Sequence, residues 1–196
     1  MIVNYLDKIP DILPGALIFR TAVVIGDVTI GKDSNIWFGA VVRGDVNRIV
    51  IGERTNIQDN ATVHVTINLA PTIIGDDVTI GHNAVIHGSV IENRVLIGMG
   101  AILLDGCHVG KNSIIAAQSV LRNGTKIPEG VLAAGNPAKI KRELLYDELE
   151  GLAKSALNYV KYSYNYLTYS QSSIYSNDEI KSVIDKLRTN VLGSIQ

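Results

Sequence analysis

The chain is short of the residues that mark several large protein classes. It has one cysteine, Cys107, in 196 residues, so no intrachain disulfide can form and a reducing, cytoplasmic setting is expected. Its charges nearly cancel, 18 Lys and Arg against 19 Asp and Glu; no basic field for nucleic acid is present. No apolar run approaches the ~18–20 residues of a membrane-spanning helix. The opening MIVNYLDKIPD has neither a basic n-region nor an apolar h-region, so a signal peptide is not expected. Histidine is scarce as well, with four in the chain. What remains is 46% hydrophobic, enough for a real core, in a length that suits one domain with a small appendage.

The apolar residues fall in a period. Ile30, Ile36 and Val42 are followed by Ile51, Ile57 and Val63, then by Ile74, Ile80 and Ile86. Ile91, Ile97, Leu103, Val109, Ile115, Leu121 and Ile127 continue the series. All sixteen are aliphatic, and the step within each group is six. Glycine follows many of them (Gly31, Gly52, Gly75, Gly81, Gly98, Gly110), and four residues on stands a mostly small or β-branched residue such as Ser34, Thr55, Ala84 or Cys107. A step of six fits neither the 3.6 of a helix nor the 2 of an ordinary strand. It is the hexapeptide signature of a parallel β-helix, three hexapeptides to a triangular coil.

The step breaks in three places. It is nine between Val42 and Ile51, so three extra residues lie around Asp45-Val46-Asn47. It is eleven between Val63 and Ile74, where VTINLAP forms an external loop, and five between Ile86 and Ile91, beside His87. Such irregularities often mark function. After Ile127 the pattern stops. Asp147 to about Leu167 reads as a helix, with Leu149, Leu152, Ala156, Tyr159 and Val160 on one face. A second, shorter helix opens with a capping box, Ser176 and Glu179. The expected division is a β-helix domain over 1–140 and a helical appendage over 141–196.

The register also sorts the histidines. Ile36, Ile57, Ile80 and Ile97 share one face; Val42, Val63, Ile86 and Leu103 share the next. His64 follows Val63 and His87 follows Ile86, so both fill one slot on successive coils, about 4.8 Å apart. Arg43 fills that slot one coil earlier. Two such imidazoles can reach one ion at ~2.0–2.1 Å; a metal-free histidine ladder is the other reading, and geometry alone leaves both open. His82, two residues after Ile80, lies on the preceding face in the slot that Asp59 fills one coil below. It should point away from its own His64 and His87, so a three-histidine site would need His82 from a neighbour around a threefold axis.

The segments RGD (Arg43–Asp45), NIQDNATVH (Asn56–His64) and GHNAVIHG (Gly81–Gly88) resemble the γ-class carbonic anhydrase family. The resemblance covers about residues 11 to 140, and the C-terminal helix more loosely. It implies a left-handed parallel β-helix with C-terminal α-helices, assembled as a homotrimer. It implies a metal site of His64 and His87 from one subunit and His82 from the next, holding Zn2+ or alternatively Fe2+ or Co2+. The implied reaction is reversible hydration of CO2 to bicarbonate by a metal-bound hydroxide at the trimer interface. By similarity, Gln58 would hydrogen-bond the hydroxide or substrate, Asp59 would accept or orient a proton, Arg43 and Asp45 would pair across the interface, and Tyr159 would reach the site from the C-terminal helix.

The sequence departs from the best-studied branch at one point. That branch has a Glu directly after the Asp of the RGD-like segment, and an acidic loop; here the position is Val46, and TINLAP has no carboxylate. A slow enzyme is therefore expected. Two other readings stay open: a CoA-thioester hydrolase or acyltransferase on the same scaffold, and a non-catalytic trimeric metal-binding protein. Of the remaining residues, Cys107 is expected buried and inert, His108 on the surface, and Trp37 at a subunit contact.

Overall fold

The structure is a computed structural model that describes residues 1–193. Its body is a parallel β-helix of three faces. Face I carries Ile12, Ile30, Ile51, Ile74, Ile91, Val109 and Ile127 in register. Face II stacks Ile18, Ile36, Ile57, Ile80, Ile97, Ile115 and Ala133. Face III stacks Val24, Val42, Val63, Ile86, Leu103 and Leu121. These side chains fill the interior and are almost all solvent-free; each large one buried contributes about 1.5–3 kcal/mol.

All sixteen expected positions lie inside. The regular coil also extends beyond them, to Ile12, Ile18 and Val24 before the first and to Ala133 after the last. The last strand, Val131–Gly135, then turns back as an antiparallel hairpin with Ala138–Glu143. Coils approach closely at the corners. A Cβ on Gly31 would lie 2.4 Å from the Gly52 carbonyl oxygen, which is why glycine follows the aliphatic residue there. The small corner residues also serve the backbone: Ser34 Oγ donates to Gly52 O at 2.6 Å and Thr55 Oγ1 to Gly75 O at 2.8 Å. Among the described residues no buried side-chain polar atom lacks a partner.

The extra residues around Asp45 have a structural consequence. They let one strand, Val41–Ile51, stay extended around a corner. Its first part pairs on face III and its last part on face I, so those two faces form one 12-stranded sheet while face II belongs to a separate 9-stranded sheet.

Helix α1, Tyr146–Tyr169, lies on face II against the strands of Ile36, Ile57 and Ile80. Glu148 holds its start, accepting from the Leu145 N–H at 2.8 Å and from both Arg142 Nη atoms at 2.7 and 2.8 Å. Trp37, expected at a subunit contact, instead packs under this helix. It stacks on Phe19 at 4.4 Å and meets Tyr159 and Tyr166 edge-on. The chain then returns to the start of the β-helix, where Ile174–Tyr175 pairs antiparallel with Leu17–Phe19. Helix α2, Asn177–Gly193, buries Ile180 and Ile184 in the same core as the coil. The expected capping box holds: Ser176 N–H donates to Glu179 Oε2 at 2.8 Å, and Glu179 N–H to Ser176 Oγ at 3.2 Å. No helix among the described residues is long and apolar enough to cross a membrane.

Candidate metal centre and active site

Strands Thr62–His64 and Val85–His87 pair in parallel with His87 opposite His64. The shared slot therefore sets the two rings together outside face III. His64 Nδ1 and His87 Nε2 face each other at 3.0 Å. Each ring's other nitrogen meets a carboxylate: His64 Nε2 lies 3.0 Å from Asp45 Oδ1, and His87 Nδ1 lies 2.8 Å from Asp105 Oδ1. A carboxylate only accepts, so a neutral ring at either place donates its outer N–H, and that tautomer turns its lone pair to the facing nitrogen.

Asp45 is held by more than His64. Its other oxygen pairs with Arg43, and Oδ1 also accepts the Val46 N–H at 3.0 Å. Burial pushes the Asp45 carboxyl up, but His64 and Arg43 outweigh it and hold it below the usual carboxylate range. Within the chain, Arg43 and Asp45 pair with each other. Val46 is exposed beside them, with nothing ionisable to offer.

His82 stands apart from this pair, on face II. Its Nδ1 lies 2.8 Å from Asp59 Oδ2, and its backbone N–H donates to Gln58 Oε1 at 3.2 Å. Gln58 Nε2 donates in turn to Asn56 Oδ1 at 3.0 Å. Gln58, His82 and Tyr159 line a groove of about 450 Å³ between the middle of α1 and the part of face II above it, with Leu96, Ile114 and Leu132 on its apolar wall. Burial, and then the charge of Asp59, push the Tyr159 phenol up; it keeps its proton at neutral pH.

The eight expected residues thus form two clusters. Arg43, Asp45, His64 and His87 gather on face III, and Gln58, Asp59, His82 and Tyr159 on face II. Among the described residues one chain assembles no group of three ligand side chains. Asp105, with Thr66 against both its oxygens at 2.9 Å, was not anticipated. Its signal in the sequence is faint: an acid just past the Leu103 position, one coil above His87. His108 reaches only Glu92, at 2.9 Å on face I. Cys107 is buried, its Sγ 3.1 Å from Arg122 O, and burial pushes its thiol up.

Two family models match the repeat: bacterial transferase hexapeptide over residues 88–123, and hexapeptide repeat of succinyl-transferase over 71–104. The chain is 48% identical over 164 residues to the protein named gamma carbonic anhydrase 2, mitochondrial, of Arabidopsis thaliana, with 81% of this chain and 59% of that protein covered. It therefore spans about three fifths of the length of that plant relative. It is 42% identical over 161 residues to a protein named carbonic anhydrase from Geobacillus kaustophilus, covering 82% of this chain and 88% of that one. Among solved structures, a hexapeptide transferase family protein from Anaplasma phagocytophilum superposes with a TM-score of 0.82 at 42% identity, covering 85% of this chain and 98% of the other.

Proposed function

The chain belongs to the γ-carbonic anhydrase family, and from that premise we propose that it hydrates CO2 reversibly to bicarbonate at a divalent-metal site shared between subunits of a homotrimer. The observation that carries this reading is the pair of imidazole nitrogens, His64 Nδ1 and His87 Nε2, facing each other at 3.0 Å while each ring's other nitrogen meets a carboxylate. Two bare lone pairs at that distance repel unless a cation lies between them. Two nitrogens on a tetrahedral zinc stand about 3.3 Å apart, so the donor set fits. Neutral imidazoles suit Zn2+, and Fe2+ or Co2+ as well.

His82 supplies the third ligand from the neighbouring chain. Its Nδ1 is occupied by Asp59, which leaves Nε2 for the ion. When bound, the ion acts as a Lewis acid that makes water a nucleophile at neutral pH. The rest falls to side chains. Gln58, tied to the His82 backbone and to Asn56, presents a fixed amide that orients substrate. Asp59 holds His82 in one ring orientation; Asp45 does the same for His64 and is itself anchored by Arg43. Tyr159, protonated and half-buried beside His82, donates a hydrogen bond at the mouth of the groove. The apolar wall of that groove suits a small nonpolar gas. The same groove, and the hexapeptide transferase relative, favour one second reading: a thioester hydrolase or acyltransferase with its acyl chain along Leu96 and Ile114.

Mixed trimers test the shared site. His64→Ala and His82→Ala chains should each bind no metal and hydrate no CO2 as homotrimers. Reassembled together at equal amounts, they should recover about a quarter of the sites, because each mixed threefold ring restores one interface. Metal content and CO2 hydration, with thioester hydrolysis measured alongside, give the result. No recovery overturns the shared site, and recovered metal with thioester turnover alone replaces the anhydrase reading.

A further inference from the structure

The two longest breaks in the hexapeptide period meet in space. Asn47, in the first, donates from Nδ2 to Thr66 O, in the second, at 3.1 Å. The Thr66 hydroxyl stands 2.9 Å from both oxygens of Asp105, and Asp105 Oδ1 stands 2.8 Å from His87 Nδ1. Asp105 lies at the corner after Leu103 and comes to His87 past Gly88. A Cβ on Gly88 would fall 2.2 Å from Asp105 Oδ1, and Gly88 has a φ of +53°. A side chain at Gly88 would stand where the Asp105 carboxylate passes, so glycine keeps that approach open. The loop that departs from the repeat, the glycine beside His87 and a carboxylate one coil higher thus converge on one ring nitrogen.

We propose that Asp105 is a positioning residue for His87, with Thr66 locking its carboxylate; the inference rests on the metal reading above. By accepting the Nδ1 proton, Asp105 leaves Nε2 bare and aims it at His64. Asp45 divides its oxygens among Arg43, the Val46 N–H and His64. Asp105, by contrast, serves His87 and Thr66. The eleven-residue step before Ile74 then has a purpose: it carries the Thr66 hydroxyl over the site.

The test uses the full-length protein as wild type, Asp105→Asn, Thr66→Val and the double variant. Two readouts are taken: the His87 tautomer in the metal-free protein, from nitrogen NMR shifts, and Co2+ affinity, from the visible absorption of the bound ion. We expect an Nδ1–H tautomer in the wild type that shifts toward Nε2–H in Asp105→Asn, and Co2+ binding weakened about 10–100-fold. Thr66→Val should weaken binding severalfold, and the double variant should be no worse than Asp105→Asn. Unchanged tautomer and affinity in Asp105→Asn overturn the proposal. If that variant fails to fold, Thr66→Val decides, and an unchanged tautomer and affinity there are fatal. A wild type that binds no Co2+ overturns the metal reading instead, while the tautomer still reports on the hold Asp105 has on His87.

Discussion

Face III and face I come from the same hexapeptide, and both carry histidine on their outer surface. On face III, His64 and His87 occupy the position after the buried aliphatic residue on successive coils, and parallel pairing lays one over the other. On face I, His108 occupies the position before Val109, and its stacked neighbours are Val90 and Lys126. It therefore meets Glu92, in an exposed contact of 2.9 Å. The difference lies in register, since residue type and strand geometry are alike. A β-helix multiplies whatever it repeats in one slot. Two histidines come to face each other only when the slot recurs one coil on, with carboxylates taking up the outward nitrogens.

The comparison breaks most sharply at the histidines. His87→Ala should abolish metal binding and CO2 hydration to below detection, whereas His108→Ala should leave both at the wild-type level; metal content per chain and initial hydration rates decide it. Loss of metal in His108→Ala would mean that face I contributes to the site. A smaller effect is expected at the corner between the faces. Val46 is exposed next to Asp45 and cannot relay a proton, so hydration should be slow at low buffer and rise with imidazole-type buffer. Val46→Glu should raise the low-buffer rate a few-fold and flatten that dependence. A wild type already fast and insensitive to buffer would leave another residue, Tyr159 first, as the relay.

The smallest effect belongs to face I. The Lys111 backbone N–H holds the Glu92 carboxyl below its ordinary value; burial opposes this, and His108 adds to the lowering. A carboxyl lowered in the folded state adds stability above its unfolded pKa and loses it as pH falls through the folded one. Below about pH 4.3 this contribution should fade. Glu92→Gln should remove it, lowering neutral-pH stability by at most about 0.5 kcal/mol after solvent screening. Paired melts at pH 7 and pH 3 measure it, and a variant equally destabilised at both would refute the linkage.

The core was legible because its signal is one-dimensional. Each aliphatic residue at a step of six meets its own counterpart a coil away, so period and contact coincide. The same rule made the His64/His87 stacking readable, and placed His82 with Asp59. Ile12, Ile18 and Val24 keep the step and were equally readable, though the series was begun at Ile30. Trp37 was misplaced because two of its partners, Tyr159 and Tyr166, lie far off in sequence on a helix that returns to cover face II, while Phe19 stacks on it from the coil below. Asp105 stayed hidden for a similar reason. Its reach to His87 depends on a missing side chain at Gly88 and on a hydroxyl carried by an irregular loop, and no period governs either.

By itself, then, the sequence determined the β-helix, the inward residues and the pairing of His64 with His87, because a repeat converts spacing directly into contact. The tertiary structure alone decided which carboxylate serves which imidazole, that Arg43 turns to Asp45 of its own chain, and that α1 leaves the Leu96–Leu132 end of face II uncovered. Those outcomes depend on side-chain reach across corners and on the path of loops outside the period, where distance along the chain no longer measures distance in space.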